Sequence, residues 1–510
     1  MEDSLLQYVS VVPNANQKHL EKMGFYAFVH FGMNTFYNRE WGDGKEDPRR
    51  FCPTDLDTDQ WCDVLRRVGA RGVILTAKHH DGFCLWPTAT TEHCIRNSPY
   101  KDGKGDIVAE LAQSCRKFGL ELGLYLSPWD RNADCYGSDA YNDVYCAQLE
   151  ELLTGYGPLF TVWLDGACGS YMDGKPVQKY DFGRYFDLIH RLQPDCAISN
   201  CGPDVRWVGN EAGICRASEW NVVPAFQFDL QKVQDNSQQQ ADGFAVNVDV
   251  VSEDLGSREV LSHFDRFIWY PAEVDVSIRR GWFYHPNQKP RSVNNLLNIY
   301  YASVGGNCML LLNIPPDCRG RIADADVKRL DALAARIDSA FAHRIEIARA
   351  DCPDAKDGMS WQDMQTGGTY SPRAVADTYR IEMRFDRPYK ADKVVLAEDI
   401  DYSQRIERYA IYAIDGARER CVYRGTTVGH KKIALFRPTV CDGLAIVVEQ
   451  CRLEPYLETV EVYETDNRQP RQNPFGKLIR WIHKLNYQVY VARTERAKAR
   501  EAKKGGDTNK

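Results

Sequence analysis

Along the first two thirds of the chain, apolar runs of strand length alternate with segments whose apolar residues recur at helical spacing. GFYAFVHFG (24–32) reads as a buried strand, and 58–69 follows as a helix with Trp61, Val64, Leu65 and Val68 on one face. RGVILTAKHH (71–80) is the next strand; Asp106 then caps a helix carrying Ile107, Leu111 and Phe118, and LELGLYLSPW (120–129) is a third strand. A helix near 140–155 leads into LFTVWLDG (159–166). Further strands are predicted at CAISNCG (196–202), around 215–223, at FIWYPAEVDVSI (267–278) and, after a helix at 293–304, at CMLLLNI (308–314). Eight such runs, apolar enough to be covered on both faces, predict a (β/α)8-type barrel. An open doubly wound sheet would carry a glycine-rich phosphate loop after its first strand, and HFGMNTF is not one.

A helix over 323–342, with Val327, Leu330, Leu333 and Ile337 on one face, closes this domain, expected to span 1–343. Beyond it come short alternating stretches, among them YRIEMRF, KADKVVLAE, RYAIYAID, KKIALF and LAIVVEQ, separated by Gly, Asp and Pro turns. They predict a C-terminal β-sandwich over 344–466. The last segment, 467–510, reads as a basic amphipathic helical tail: Phe475, Leu478, Ile479, Ile482 and Leu485 lie at helical spacing beside Lys477, Arg480 and Lys484. From Gly476 onward it holds ten Lys/Arg against three acids. Such a helix suits peripheral contact with an anionic membrane surface, or docking of its apolar face on the protein itself or a second subunit.

Charge and composition narrow the partners. A formal net charge of -7 gives no global argument for nucleic-acid binding. No apolar stretch approaches the ~20 residues that span a bilayer. The N-terminus has acids directly after Met1 and no basic segment leading into an apolar core of signal-peptide length, so a cytoplasmic protein is expected. Seventeen cysteines, an odd number scattered over apparent strands and helices, fit reduced thiols.

In a barrel of this kind chemistry gathers at the C-terminal ends of the strands. The first strand ends at His30, the second at His79 and His80, the third near Tyr125 and Trp129, and the fourth at Asp165, a carboxylate delivered from a buried strand into a glycine turn. Burying an ionised group there costs free energy unless something pairs or uses it. A metal on His79 and His80 is the competing reading, but neighbouring strand residues point to opposite faces and no Cys or His-x-His spacing accompanies them. Trp41, Trp86, Trp163, Trp269 and Trp282 are expected to add flat apolar faces at the same rim. Hydroxyl-binding groups mixed with aromatic planes suit a sugar.

FVHFGMNTF, EWGDGKEDP, VILTAKHHDGFCLWP, GLYLSPWDRN, VWLDGA, ASEW and PAEVDVSIRRGWFYH together resemble the glycoside hydrolase family of retaining α-L-fucosidases, most closely the branch that cleaves α-1,3/1,4-linked fucose from Lewis-type glycans. The resemblance spans about 20–320; in SIRRGWFYH, Arg280 stands where the motif has proline. It implies that Asp165 is the nucleophile, that His30, His79 and His80 hold fucose hydroxyls beside Glu40 and Trp41, that Tyr125 and Trp163 line the pocket, and that Trp282 packs on the apolar side of the sugar. No cofactor or metal is required. Three acids are candidates for the acid/base: Glu211 in WVGNEAG, which matches the α-1,3/1,4 branch, Glu273 in YPAEVD as runner-up, and Glu219 in ASEW, more simply an ion-paired loop acid. The expected partner is a fucosylated glycan. The alternatives are a fucosidase of broad linkage specificity and a catalytically silent fucose-binding or interaction protein.

Overall fold

In the computed structural model, which describes residues 2–167, 178–225, 228, 253–356 and 368–466, the apolar runs become strands β1 (Phe25–Val29), β2 (Gly72–Lys78), β3 (Glu121–Leu126), β4 (Leu159–Leu164), β5 (Ala197–Asn200), β6 (Arg206–Trp207), β7 (Val222–Pro224), β8 (Phe267–Trp269), β9 (Ala272–Ser277) and β10 (Cys308–Asn313). Eight of them form one parallel sheet in the order β5-β4-β3-β2-β1-β10-β9-β6. A single parallel bridge between Ser199 and Val205 joins its two edges, so the sheet is a nearly closed barrel. Helices Thr58–Arg67, Ile107–Phe118, Phe182–Leu192 and Val293–Ser303 belong to its outer layer, each started by a side chain (Asp57, Asp106, Asp181 and Ser292) that accepts a first-turn N–H. The interior is filled by Tyr26, Phe28, Ile74, Tyr125, Phe160 and Trp163 with Met309 and Leu311.

The sixth barrel position departs from expectation. It is taken by the two-residue β6, and the segment near 215–223 ends instead in β7, which pairs antiparallel with β8 as a separate ribbon. Only five residues connect β5 to β6, so the helix of a regular βα repeat is missing there. The predicted strand 267–278 is likewise two strands, divided at Tyr270 and Pro271; a proline lacks the N–H that a continuous ladder needs.

After helix Asp324–Phe341 the chain builds β11 (Ile347–Asp351), β12 (Tyr379–Glu398), β13 (Ile406–Asp415), β14 (Arg418–Gly425), β15 (Lys432–Cys451) and β16 (Leu457–Glu464), all antiparallel. YRIEMRF and KADKVVLAE are two halves of one strand, β12, and KKIALF and LAIVVEQ two halves of β15. Register shifts between Arg384 and Tyr389 and between Ala391 and Lys393 bend this pair, and the folded sheet encloses its own core around Ile381, Met383, Leu396, Ile411 and Leu444. The predicted basic tail, 467–510, lies outside the described residues. Among the described residues no helix is long and apolar enough to cross a membrane.

Candidate active site

Asp165 follows β4 directly. Its Oδ1 accepts from the N–H of Ala167 (2.8 Å) and its Oδ2 from the Tyr125 hydroxyl (3.0 Å), and His80 Nε2 stands 3.9 Å from Oδ2. Tyr125 is itself stacked on Trp163, ring centroids 5.5 Å apart. One edge of the carboxylate is thus pinned by the turn and the other by a buried phenol.

Three imidazoles surround this point. The Asn313 side-chain oxygen accepts from the backbone N–H of His30 (3.2 Å) and faces His30 Nδ1 at 2.9 Å, which puts the proton on Nδ1 and leaves Nε2 an acceptor. The Ser127 hydroxyl donates to the Trp129 carbonyl (2.7 Å), so it accepts from His80 Nδ1 (2.7 Å), and His80 Nε2 is likewise an acceptor. His79 has the other tautomer, since Asn34 Nδ2 donates to its Nδ1 at 3.3 Å and Nε2–H is left to donate. Burial lowers His30 to about 3 and His80 to about 4, the latter against the pull of Asp165, and pushes His79 well down, so all three rings are neutral at physiological pH. Two acceptors and one donor suit hydroxyl groups. The rings of His79 and His80 lie 4.1 Å apart, on the same side, contrary to the strand alternation expected of them: β2 stops at Lys78, and both residues belong to the turn beyond it.

Glu40 reaches this site from the loop after β1. Its Oε1 meets His285 Nε2 (2.5 Å) and its Oε2 accepts from the Trp282 N–H (2.8 Å), which ties the 281–285 loop to the first βα loop. Trp282 stands beside His30, ring centroids 5.1 Å apart, and its carbonyl accepts from Asn313 Nδ2 (2.7 Å). Arg279 fastens the same loop through Asp326 (2.8 Å) and the Gln288 carbonyl (2.5 Å), next to the exposed Arg280. Trp41, 49% exposed, lies edge-on to Trp129 and His80. Trp86 and Trp269 are not at this rim. Trp86 is buried and donates to Glu151 (2.7 Å), and Trp269 on β8 donates to Glu21 (3.0 Å) in a separate cluster. Trp163 lies below the rim, inside the barrel.

The acids separate by environment. Glu211 sits on a turn bracketed by Gly209 (φ 98°) and Gly213 (φ 75°), conformations that a β-carbon disfavours, and Asn210 staples the turn through the Ile214 carbonyl (2.8 Å) and the Ala212 N–H (3.1 Å). The residue is accessible from the rim, but its carboxyl is crowded: burial raises its pKa, with Asp165 and Glu40 adding to the rise and the Trp282 side chain opposing it. Glu273 is fully enclosed near the start of β9, bonded to the Tyr26 hydroxyl and Trp163 Nε1 (2.7 Å), and burial lifts it to about 7. Glu219 is buried between Arg206 (2.5 Å) and Arg216 (3.3 Å); burial would raise it, but the two guanidinium groups outweigh that and hold it down. A fourth acid carries no signal in its sequence context. Asp275, two residues above Glu273 on the inward face of β9, accepts from Trp207 Nε1 (2.8 Å) and is pushed well up by burial and by Glu211 and Glu273.

Beneath His79 and His80, Lys78 is entirely buried and donates to Asp130 (3.0 Å), the Tyr141 hydroxyl (3.1 Å) and Gln148 (2.8 Å). Asp130 in turn accepts from the N–H groups of Asn132 and Ala133, fixing the loop that carries Trp129.

Residues 10–338 match the model of the α-L-fucosidase family. Alpha-L-fucosidase 1 of Arabidopsis thaliana is 36% identical over 468 residues, 89% of this chain and 87% of its own length. A putative α-L-fucosidase structure from Bacteroides ovatus superposes with a TM-score of 0.80 at 41% identity, covering 91% of this chain and 75% of that one. A Ruminococcus gnavus fucosidase in complex with fucose does so with a TM-score of 0.79 at 30% identity, covering 90% and 96%. By its matched model, its relatives and its barrel, the chain belongs to the α-L-fucosidase family of retaining glycosidases.

Proposed function

We propose that this α-L-fucosidase releases terminal fucose α-1,3- or α-1,4-linked in Lewis-type glycans, with Asp165 as nucleophile and Glu211 as acid/base. Asp165 attacks the anomeric carbon while the Glu211 proton passes to the departing glycosidic oxygen, which leaves a fucosyl ester on Asp165. Glu211, now a carboxylate, takes a proton from the water that attacks the same carbon, Asp165 departs, and α-fucose is released with its configuration retained. His30, His79 and His80 receive the hydroxyls of the sugar, and Trp282 covers one of its faces.

One observation carries the assignment. Glu211 is the rim-accessible carboxyl whose pKa is raised in the presence of Asp165, as an acid that must hold a proton beside an ionised nucleophile requires. The Lewis-type preference rests on the WVGNEAG motif around Glu211. Incubation with Lewis a and Lewis x trisaccharides and with α-1,2- and α-1,6-fucosylated glycans tests it: release from the first pair at rates at least about tenfold above the others, a difference of about 1.4 kcal/mol in the barrier, is expected. Equal rates on all four would leave a fucosidase of broad specificity. NMR of the first-formed product should find the α-anomer; the β-anomer would exclude Asp165 as nucleophile.

Asn313→Ala is expected to lower kcat/KM on an aryl fucoside roughly 10- to 100-fold, because His30 loses the buried partner that orients it, at about 1–3 kcal/mol. Circular dichroism should show an intact fold.

Glu273→Gln should keep most fucosidase activity, since a glutamine fills the same space and its oxygen still accepts from Trp163 Nε1, while the Tyr26 hydroxyl, which donates to Glu273, can turn to accept from the new amide. Its stability should also lose a pH dependence. A folded-state value near 7 against 4.5 for the free side chain means that the folded state binds the extra proton, so the parent loses stability as pH rises from about 4.5 through about 7, by on the order of 3 kcal/mol. Thermal unfolding of parent and variant at pH 5 and pH 8 reads the difference. An unchanged pH dependence in the variant would remove Glu273 as its source.

A further inference from the structure

At the N-terminal end of the barrel, opposite the rim that holds Asp165, lies a cleft of about 180 Å³ where the start of β1, the turn before β2 and the turn before β15 meet. It is walled partly by Tyr300, Val304 and Ile337 and partly by the cations Lys22, Arg67, Arg71 and Lys431. Arg67 is neutralised by Asp63 and Asp331. The other three have no carboxylate within ion-pair distance among the described residues, and the Arg71 guanidinium donates to the Lys22 carbonyl (2.8 Å). Two acids also line the cleft. Asp338 is exposed, and Glu21 is buried with its carboxylate engaged by Asn221 (2.5 Å) and Trp269 (3.0 Å).

His430 gives the cleft its chemistry. Its side chain is 91% buried, its backbone N–H donates to Asn307 Oδ1 at 2.9 Å, and its Nδ1 faces the same oxygen at 2.9 Å and Glu21 at 3.4 Å. Its Nε2 is buried without a hydrogen-bond partner. A buried ring nitrogen left so costs about 1–3 kcal/mol unless a ligand completes it. Lys431 beside it is pushed below the usual lysine range by burial and by the charge of Arg71, against the pull of Glu461, which an anion would relieve.

We propose that this cleft binds a small phosphate monoester, its phosphoryl oxygens on Arg71, Lys431 and His430 Nε2 and the rest of the molecule against Tyr300, Val304 and Ile337. Guanidinium and ammonium offer the donors and the charge that a phosphoryl group needs; His430 Nδ1–H faces the Asn307 oxygen, so Nε2 is an acceptor and takes the P–OH hydrogen of the monoester, and the apolar wall favours an organic ester over the bare ion. The site joins a barrel strand to the C-terminal sheet, so its occupant stabilises that junction by mass action.

Calorimetric titration of the full chain with glycerol 3-phosphate and with inorganic phosphate, at constant ionic strength in chloride, tests this. Saturable binding of both is expected, the ester at least threefold tighter, with a rise in Tm that follows occupancy. Arg71→Met/Lys431→Met should weaken both at least tenfold and leave turnover of an aryl fucoside unchanged. Should that double variant fail to fold, Lys431→Met alone is read the same way, with at least a threefold loss. Heats no larger than the chloride control, or affinities unaltered in the variants, would overturn the site; equal affinity for the two probes would overturn the ester.

Discussion

Asp165→Ala is expected to abolish turnover of every substrate, by on the order of 10⁴-fold or more, including an aryl fucoside whose leaving group needs no proton. The nucleophile is required twice, to form the covalent fucosyl ester and to be displaced from it, so no choice of leaving group bypasses its loss. Asp165→Asn should be equally inactive although it keeps the shape, because an amide oxygen does not open a route to the ester. The pocket should survive both changes: Tyr125 stays stacked on Trp163, and the three histidines are oriented by Asn313, Asn34 and Ser127 rather than by Asp165. Fucose should therefore still bind, and titration calorimetry with free fucose distinguishes a lost nucleophile from a collapsed site. Steady turnover of the aryl substrate by Asp165→Ala at more than a few per cent of the parent rate would exclude a covalent role for this carboxylate.

Tyr125→Phe should cost less, because it removes one of the two hydrogen bonds to Asp165 and leaves that from Ala167. A charge-assisted bond of this kind contributes about 1.5–3 kcal/mol.

The barrel was legible wherever a strand is a run of apolar residues covered on both faces. Where it is not, the pattern misleads. β6 is two residues, Arg206 and Trp207, and no apolar run marks it; its place is defined by a backbone register with Ala272 and Glu273 that no local pattern encodes. β12 and β15 each read as two strands in the sequence because Asp386–Pro388 and Arg437–Pro438 look like breaks, whereas the bent sheet accommodates the interruptions as shifts of register. Alternation ends at Lys78, where β2 stops, so strand periodicity does not predict that His79 and His80 lie on one side. Nothing local in the sequence signals that Trp86 and Trp269 lie away from the rim, each indole buried on a carboxylate of the scaffold. Asn313, Ser277, Asn34 and Ser127 carry no signal in the sequence for a related reason. They donate and accept one layer behind the histidines, and only the folded barrel brings strands β1, β2, β3, β9 and β10 close enough to reveal that.

Glu211→Ala should divide substrates by leaving group. On a Lewis-type trisaccharide, where a sugar hydroxyl is a poor departing group, loss of the general acid should reduce kcat/KM by about 10³-fold. On an activated aryl fucoside the first step should stay fast, and the fucosyl ester on Asp165 should accumulate, since no base remains to activate water. A burst of released aryl alcohol followed by slow turnover is the expected trace. Azide needs no base; it should enter the space vacated by the carboxyl, accelerate the second step and yield α-fucosyl azide, whose configuration reports a double displacement. The parent should lose activity on the trisaccharide as pH rises through the raised pKa of Glu211, because the acid must be protonated to act, and that alkaline limb should vanish in Glu211→Gln together with most of the rate. Glu273→Ala offers the contrast. Its carboxyl is bonded to Tyr26 and Trp163 inside the barrel, so truncation should lower stability through a cavity and two orphaned donors, with no azide rescue. If the burst and the rescue instead appear in Glu273→Ala, and Glu211→Ala turns over Lewis glycans at close to the parent rate, Glu273 is the acid/base, and the raised pKa of Glu211 is a consequence of its neighbours without a part in the reaction.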